Sequence, residues 1–99
     1  MGDQLIDLPY LLWLRGEFQA RAADQSAAEL AEASFRESIA VANRLGARTL
    51  ALRASTSLGR LLAAQGRKDE ARGVVAPLLN EFTEGFDTRD LIEAKEIGG

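Results

Sequence analysis

Glycines at positions 46, 66 and 85 interrupt an otherwise helix-forming chain at intervals of about twenty residues, and each falls where a stripe of helical period ends. Glycine enters the left-handed region without a Cβ clash, so one placed just past a periodic stretch reads as a helix stop. No stretch alternates apolar and polar residues, and β-branched residues are few, so strands are not expected. The constraint points to an all-α chain of short helices joined by tight turns.

The spacing predicts a first helix from about Leu8 to Ala23. Pro9 suits its first turn, where a missing N–H costs nothing, and Leu11, Leu14 and Phe18 recur on one face with Leu12 beside them. Ser26-Ala27-Ala28-Glu29 has the form of a capping box. It opens a second helix running to Leu45, with Ala27, Leu30, Ala31, Phe35, Ser38, Ile39, Ala42 and Leu45 as its stripe. A third helix is expected over Arg48 to Gln65, carrying Ala51, Leu52, Ser55, Leu58, Gly59 and Leu62. Asp69 opens a fourth, with Ala71, Val74, Val75, Leu78, Leu79 and Phe82 inward and Pro77 bending it. Asp87-Thr88 caps a short fifth helix carrying Leu91, Ile92 and Ile97.

Composition narrows the function. The 99 residues fit one small domain and hold neither cysteine nor histidine. Disulfides, thiolate nucleophiles, Cys/His zinc sites and histidine acid–base chemistry are thereby excluded. The net charge of −3, from 12 basic and 15 acidic residues, argues against a nucleic-acid surface and against a polybasic membrane anchor. With no targeting or membrane-spanning segment visible, a cytoplasmic protein is expected.

The third and fourth helices contain a repeat-like order: Leu58-Gly59-x-x-Leu62, Gly66, Ala71, Val75, then Leu78-Leu79. This order resembles the tetratricopeptide (TPR) pattern, in which small residues let two antiparallel helices approach and a glycine makes the turn. Ala31, Phe35 and Ser38-Ile39 match the second-helix half of an earlier, looser unit. In that unit either Gly16 or Arg15 takes the small first-helix place, and the Arg15 register buries Leu11, Leu14 and Phe18. The fold implied is an α-α superhelix of two TPR-like helix hairpins plus a short C-terminal capping helix. It forms a single domain over 1–99, with repeat 1 about 8–45, repeat 2 about 48–84 and the capping helix about 88–97.

A second resemblance covers Leu11 to Lys95. It rests on Gly46-Ala47-Arg48, Leu52-Arg53-Ala54-Ser55-Thr56-Ser57-Leu58, Gln65-Gly66-Arg67 and Glu70-Ala71-Arg72. The tail Phe82-Thr83-Glu84-Gly85-Phe86-Asp87-Thr88-Arg89-Asp90-Leu91 and Glu93-Ala94-Lys95 adds to it. These runs resemble the C-terminal end of bacterial multidomain signalling proteins. Such proteins join a class III adenylate/guanylate cyclase, or a DNA-binding regulator, to an AAA-type ATPase and a long helical-repeat array. The resemblance implies signal transduction, in a piece of such a protein or a separate relative. Cyclase and ATPase residues belong to other domains, so no catalytic residue, cofactor or metal ligand carries over.

The candidate partner-binding groove is Arg53, Thr56, Arg60, Tyr10 and Trp13. Arg53 and Arg60, seven apart, share the helix face that lines the concave side of such repeats, together with Thr56, Ala63 and Ala64; two guanidinium groups there suit a peptide carboxylate. Tyr10 and Trp13, the only residues of their kinds, are placed on the outer side of the first helix, either as interface anchors or packed on a neighbouring element. Glu81, Glu84, Asp87 and Asp90 cluster around Gly85; they read as a cation site or as helix-start and solvent-facing carboxylates. Three functions follow: a protein- or peptide-binding regulatory module, a structural cap on a longer array, or a carboxylate-metal enzyme. Two repeats leave one side of the first hairpin uncovered, so the chain is expected either to form a homodimer there or to be marginally stable.

Overall fold

A computed structural model describes residues 2–22, 24–81 and 96–97 of the protein. It contains four helices, α1 (Gly2–Ala20), α2 (Gln25–Leu45), α3 (Arg48–Ala64) and α4 (Lys68–Glu81), and no strand among the described residues. Consecutive helices pack on one another, and α1 also meets α3.

The two inner turns are built alike. Gly46 lies at φ 73° and Gly66 at φ 80°, both left-handed. The amide after each glycine then reaches back over the turn: Ala47 N–H donates to the Ala42 carbonyl at 2.8 Å, and Arg67 N–H to the Leu62 carbonyl at 2.9 Å. This pattern satisfies carbonyls that the helix end leaves without partners.

The third helix carries the core. Its expected stripe of Ala51, Leu52, Ser55, Leu58, Gly59 and Leu62 is buried, and Ala54, Thr56 and Ser57 are buried with it. One cluster joins Ala51 and Leu52 to Ala42, Val75 and Leu78; another joins Leu58 and Leu62 to Ala31, Phe35 and Ala71. Burying each large side chain of this kind favours folding by about 1.5–3 kcal/mol. Gly59 marks a close crossing: a Cβ there would lie 3.0 Å from both Val75 Cγ2 and Ile97 Cγ2.

The first hairpin departs from the sequence reading in three ways. First, α1 begins at Gly2, so Pro9 lies inside it rather than in its opening turn. An internal proline removes a single i→i−4 bond. Here the buried Pro9 faces α2, and its carbonyl accepts a hydrogen bond from Ser38 Oγ at 2.6 Å. Second, the inward face of α1 is Pro9, Leu12 and Gly16, whereas Leu11, Leu14 and Phe18 are exposed. The small residue of this unit is therefore Gly16, not Arg15: a Cβ on it would lie 2.5 Å from Phe35 Cε1. Third, Asp24 rather than Ser26 caps α2, its Oδ1 accepting from Ala27 N–H at 2.7 Å. Aspartate is as strong a cap as serine, and the extended backbone at Asp24 starts the helix two residues earlier.

On α2, Ala31, Phe35, Ser38 and Ala42 face inward as expected, joined by Ser34 and Val41, while Leu30 and Leu45 are exposed. Buried serines need partners. Ser34 Oγ accepts from Arg15 Nε at 3.1 Å and donates to Gln19 Oε1 at 2.7 Å, which ties α2 to α1. Helix α4 starts at Lys68 and runs through Pro77 to Glu81, with Ala71, Val75 and Leu78 buried. The expected cap at Asp87-Thr88 and most of the fifth helix lie outside the described residues. Glu96 and Ile97 are helical, and Ile97 packs on both core clusters.

Candidate functional site

Three of the five groove residues come together where α1 crosses α3. Trp13 turns toward α3 and is half-buried, and its Nε1–H donates to Ser57 Oγ at 2.8 Å. The Arg53 guanidinium carbon lies 5.4 Å from the centre of the Trp13 ring, close enough for a cation–π attraction. The Tyr10 ring is tilted by 35° against Trp13, with centroids 5.7 Å apart. Trp13 therefore bridges to α3 instead of standing on the outer side of the first helix, while Tyr10 stays exposed beside it. A helix at its crossing with a third can reach that neighbour, and Ser57 provides the acceptor that a buried indole N–H requires.

Arg60 is exposed and, seven residues from Arg53, shares its helix face. Thr56 does not line the face. It is buried, and its Oγ1 donates back to the Leu52 carbonyl at 2.8 Å. As the central helix, α3 is covered on more than one side, which withdraws Thr56 from a surface that spacing alone would give it. Ala63 is half-buried against the core and Ala64 is exposed. The resulting face presents a guanidinium held over an indole, a phenol beside it, and a second guanidinium on the same side. Two guanidinium groups beside an indole and a phenol give this face a chemistry suited to a carboxylate.

A second group of charges was not singled out by spacing. Arg67, in the turn between α3 and α4, bonds Glu70 at 2.9 Å and Glu32 of α2 at 3.1 Å, and Glu32 also takes Arg36 at 3.0 Å. Burial pushes the Glu32 carboxyl upward, but hydrogen bonds from Arg67 and Arg36 outweigh it and hold the group below its ordinary 4.5. The Arg67 hydrogen bond likewise holds Glu70 low. This chain of ion pairs ties the second hairpin to α2. The Arg67–Glu70 spacing of three is legible as an intrahelical pair, but nothing in the sequence links either to Glu32.

A groove of about 420 Å³ lies between α2 and α4, walled by Ile39, Val74 and Leu78 among others and backed by Ser55 and Leu58 of α3. Among the described residues the Ser55 hydroxyl has no hydrogen-bond partner, and the residue is fully buried beneath the groove.

The acidic cluster of Glu81, Glu84, Asp87 and Asp90 lies outside the described side chains. Among the described residues, no three acidic, histidine or cysteine side chains gather as a metal-binding group. No described helix is long and apolar enough to cross a membrane. Neither a protein-family model, nor a curated protein sequence, nor a solved structure matches the chain.

Proposed function

We propose that the chain is a non-catalytic, TPR-like protein-interaction and regulatory module, and that it takes an acidic peptide segment of a partner on the face shared by α1 and α3. The observation that supports this reading best is the Arg53–Trp13–Tyr10 cluster. It sets a guanidinium and two aromatic rings at a helix crossing, the residue types that most often anchor interfaces. Arg60 adds a second positive charge on the same side. The chain as a whole is acidic, at −3, so attraction of an acidic partner is local to this face and weakens as salt is added. The matching order of Gly59, Gly66 and Ala71 supports the TPR-like type. The resemblance over Leu11 to Lys95 supports a place in a bacterial cyclase/ATPase-type signalling system, acting in the cytoplasm.

Isothermal calorimetry with an acidic decapeptide bearing a free C-terminal carboxylate tests the reading. Saturable heat is expected at low salt, and Arg53→Glu with Arg60→Glu is expected to abolish it without changing the helix content. No heat from the unsubstituted chain would leave the module as a structural cap on an array. Undiminished heat from the double variant would remove the site from this face.

A further inference from the structure

The groove between α2 and α4 has a polar atom beneath it that the fold leaves unused. Both helices pack on α3, and their backbones stand apart among the described residues. Ile39 and Ala40 wall the gap on one side and Val74 and Leu78 on the other, with Leu58 and Ser55 on the floor. Ser55 is 0% exposed, and its hydroxyl has no hydrogen-bond partner among the described residues. The other buried hydroxyls are all bonded. Thr56 donates back to the Leu52 carbonyl and Ser38 to the Pro9 carbonyl, while Ser34 bonds Arg15 and Gln19 and Ser57 accepts from Trp13. A buried hydroxyl without a partner costs stability, so its survival under a groove calls for an occupant that supplies one.

We infer that the groove binds a small uncharged aliphatic molecule with one carbonyl inside its chain, and that the Ser55 hydroxyl donates to that carbonyl. Three observations select this occupant. The volume of about 420 Å³ falls within the range of small-molecule sites. The groove has no free charge to draw an anion, because Arg36, the first α2 residue of its lining, is held by Glu32 at 3.0 Å. The orphaned hydroxyl requires an acceptor, which the aliphatic side chains of a docked amphipathic helix do not bring. Arg36 and Asn43, the first and last lining residues on α2, are seven apart, which sets the length at about 10 Å. Both are exposed whereas Ser55 is buried, so the acceptor belongs within the apolar body and not at its tip. The half-buried Ile39 and Val74 are the side chains that turn aside to admit it. Ser55 is two residues from Arg53, on the opposite side of α3, so this site stands whether or not the Arg53–Trp13 face takes a peptide.

The probe is nonan-5-one, an uncharged aliphatic chain with a central carbonyl, titrated into the 99-residue chain and followed by methyl nuclear magnetic resonance. The Ile39, Leu58, Val74 and Leu78 methyl signals are expected to shift and saturate, with a dissociation constant below about 1 mM. Ser55→Ala should weaken binding by about five- to tenfold, the loss of one hydrogen bond. The same variant should leave the urea midpoint of the ligand-free chain unchanged or higher, because it removes a hydroxyl that the fold does not bond. Three results overturn the inference: no saturable shift at these methyls, equal affinity in Ser55→Ala, or a lowered midpoint in that variant. Two others assign the groove elsewhere and overturn it as well. Shifts of these methyls with protein concentration but not with the ketone would give it to a second copy. Shifts with a leucine-rich amphipathic helical peptide but not with the ketone would give it to a partner helix.

Discussion

The register of α1 on α2 can be tested with one methyl group placed at two glycines. Ala in place of Gly inside an exposed helix normally stabilises by about 0.5–1 kcal/mol, because the unfolded chain loses freedom. Gly73, exposed in α4, has nothing within 4 Å of a built Cβ and should show that gain. Gly16 should show the reverse. A Cβ there falls 2.5 Å from Phe35 Cε1, 2.6 Å from Cδ1 and 3.0 Å from Cζ. Relaxed carbon contacts need about 3.5–4 Å, so the ring or the helix must give by about 1 Å. Phe35 is 1% exposed and hemmed in by the cluster of Ala31, Leu58, Leu62 and Ala71. Overpacking of a fixed core costs about 1–3 kcal/mol; set against the propensity gain, Gly16→Ala should lose about 1–2 kcal/mol net. In a domain of this size that lowers Tm by roughly 5–10 °C, while Gly73→Ala raises it by about 3–6 °C. Urea unfolding followed by circular dichroism and by Trp13 fluorescence gives both values. A cycle with Phe35→Leu should recover about 1 kcal/mol of coupling, since the smaller side chain makes room. If Gly16→Ala stabilises as Gly73→Ala does, α1 does not meet α2 through this glycine.

The crossing at Gly59 is less tight, with a Cβ 3.0 Å from Val75 Cγ2 and from Ile97 Cγ2, but it has no room for a larger side chain, so Gly59→Leu should cost about 1–3 kcal/mol in the same urea assay, and an unchanged midpoint would argue against the packing of α3 on α4. Gly46→Ala and Gly66→Ala meet open space but keep a left-handed backbone, so each should lose about 1 kcal/mol by conformation alone; no loss would mean that the turns are built differently. Glu32 and Glu70 have folded-state values below the ordinary 4.5, so their stabilisation is complete above that value and is lost as pH falls through the lower folded values. Arg67→Met should therefore lower the urea midpoint at pH 7, by a gap that narrows as pH falls below 4.5; a gap that stays constant as the carboxyls protonate would show that these ion pairs are not its source.

The parts of the fold that were legible share one cause. The third helix buries large aliphatic residues at regular spacing, and Gly46 and Gly66 occupy positions that only glycine fills easily, so pattern and structure agree there. Helix α1 misleads because it has two apolar faces, and the one richer in leucine points outward. The contact that fixes its register is made by Pro9 and Gly16, which carry little side-chain area and so leave almost no trace in hydropathy. Thr56 misleads for another reason: periodicity gives the face of a helix but not how many neighbours surround it. Arg53, Tyr10 and Trp13 were each legible as interface residue types. Their meeting was not, because it depends on α1 crossing α3 some forty residues along the chain.

The functional reading is tested most directly by nuclear magnetic resonance during titration with the acidic decapeptide. The chain's single indole Nε1–H gives one resolved signal that reports on the Ser57 bond and on the ring beneath Arg53. That signal and the Arg53 side-chain signal are expected to move together and saturate, while Leu30 and the α2–α4 groove stay unmoved. Shifts confined to other surfaces, or none at all, would contradict a binding role for this face.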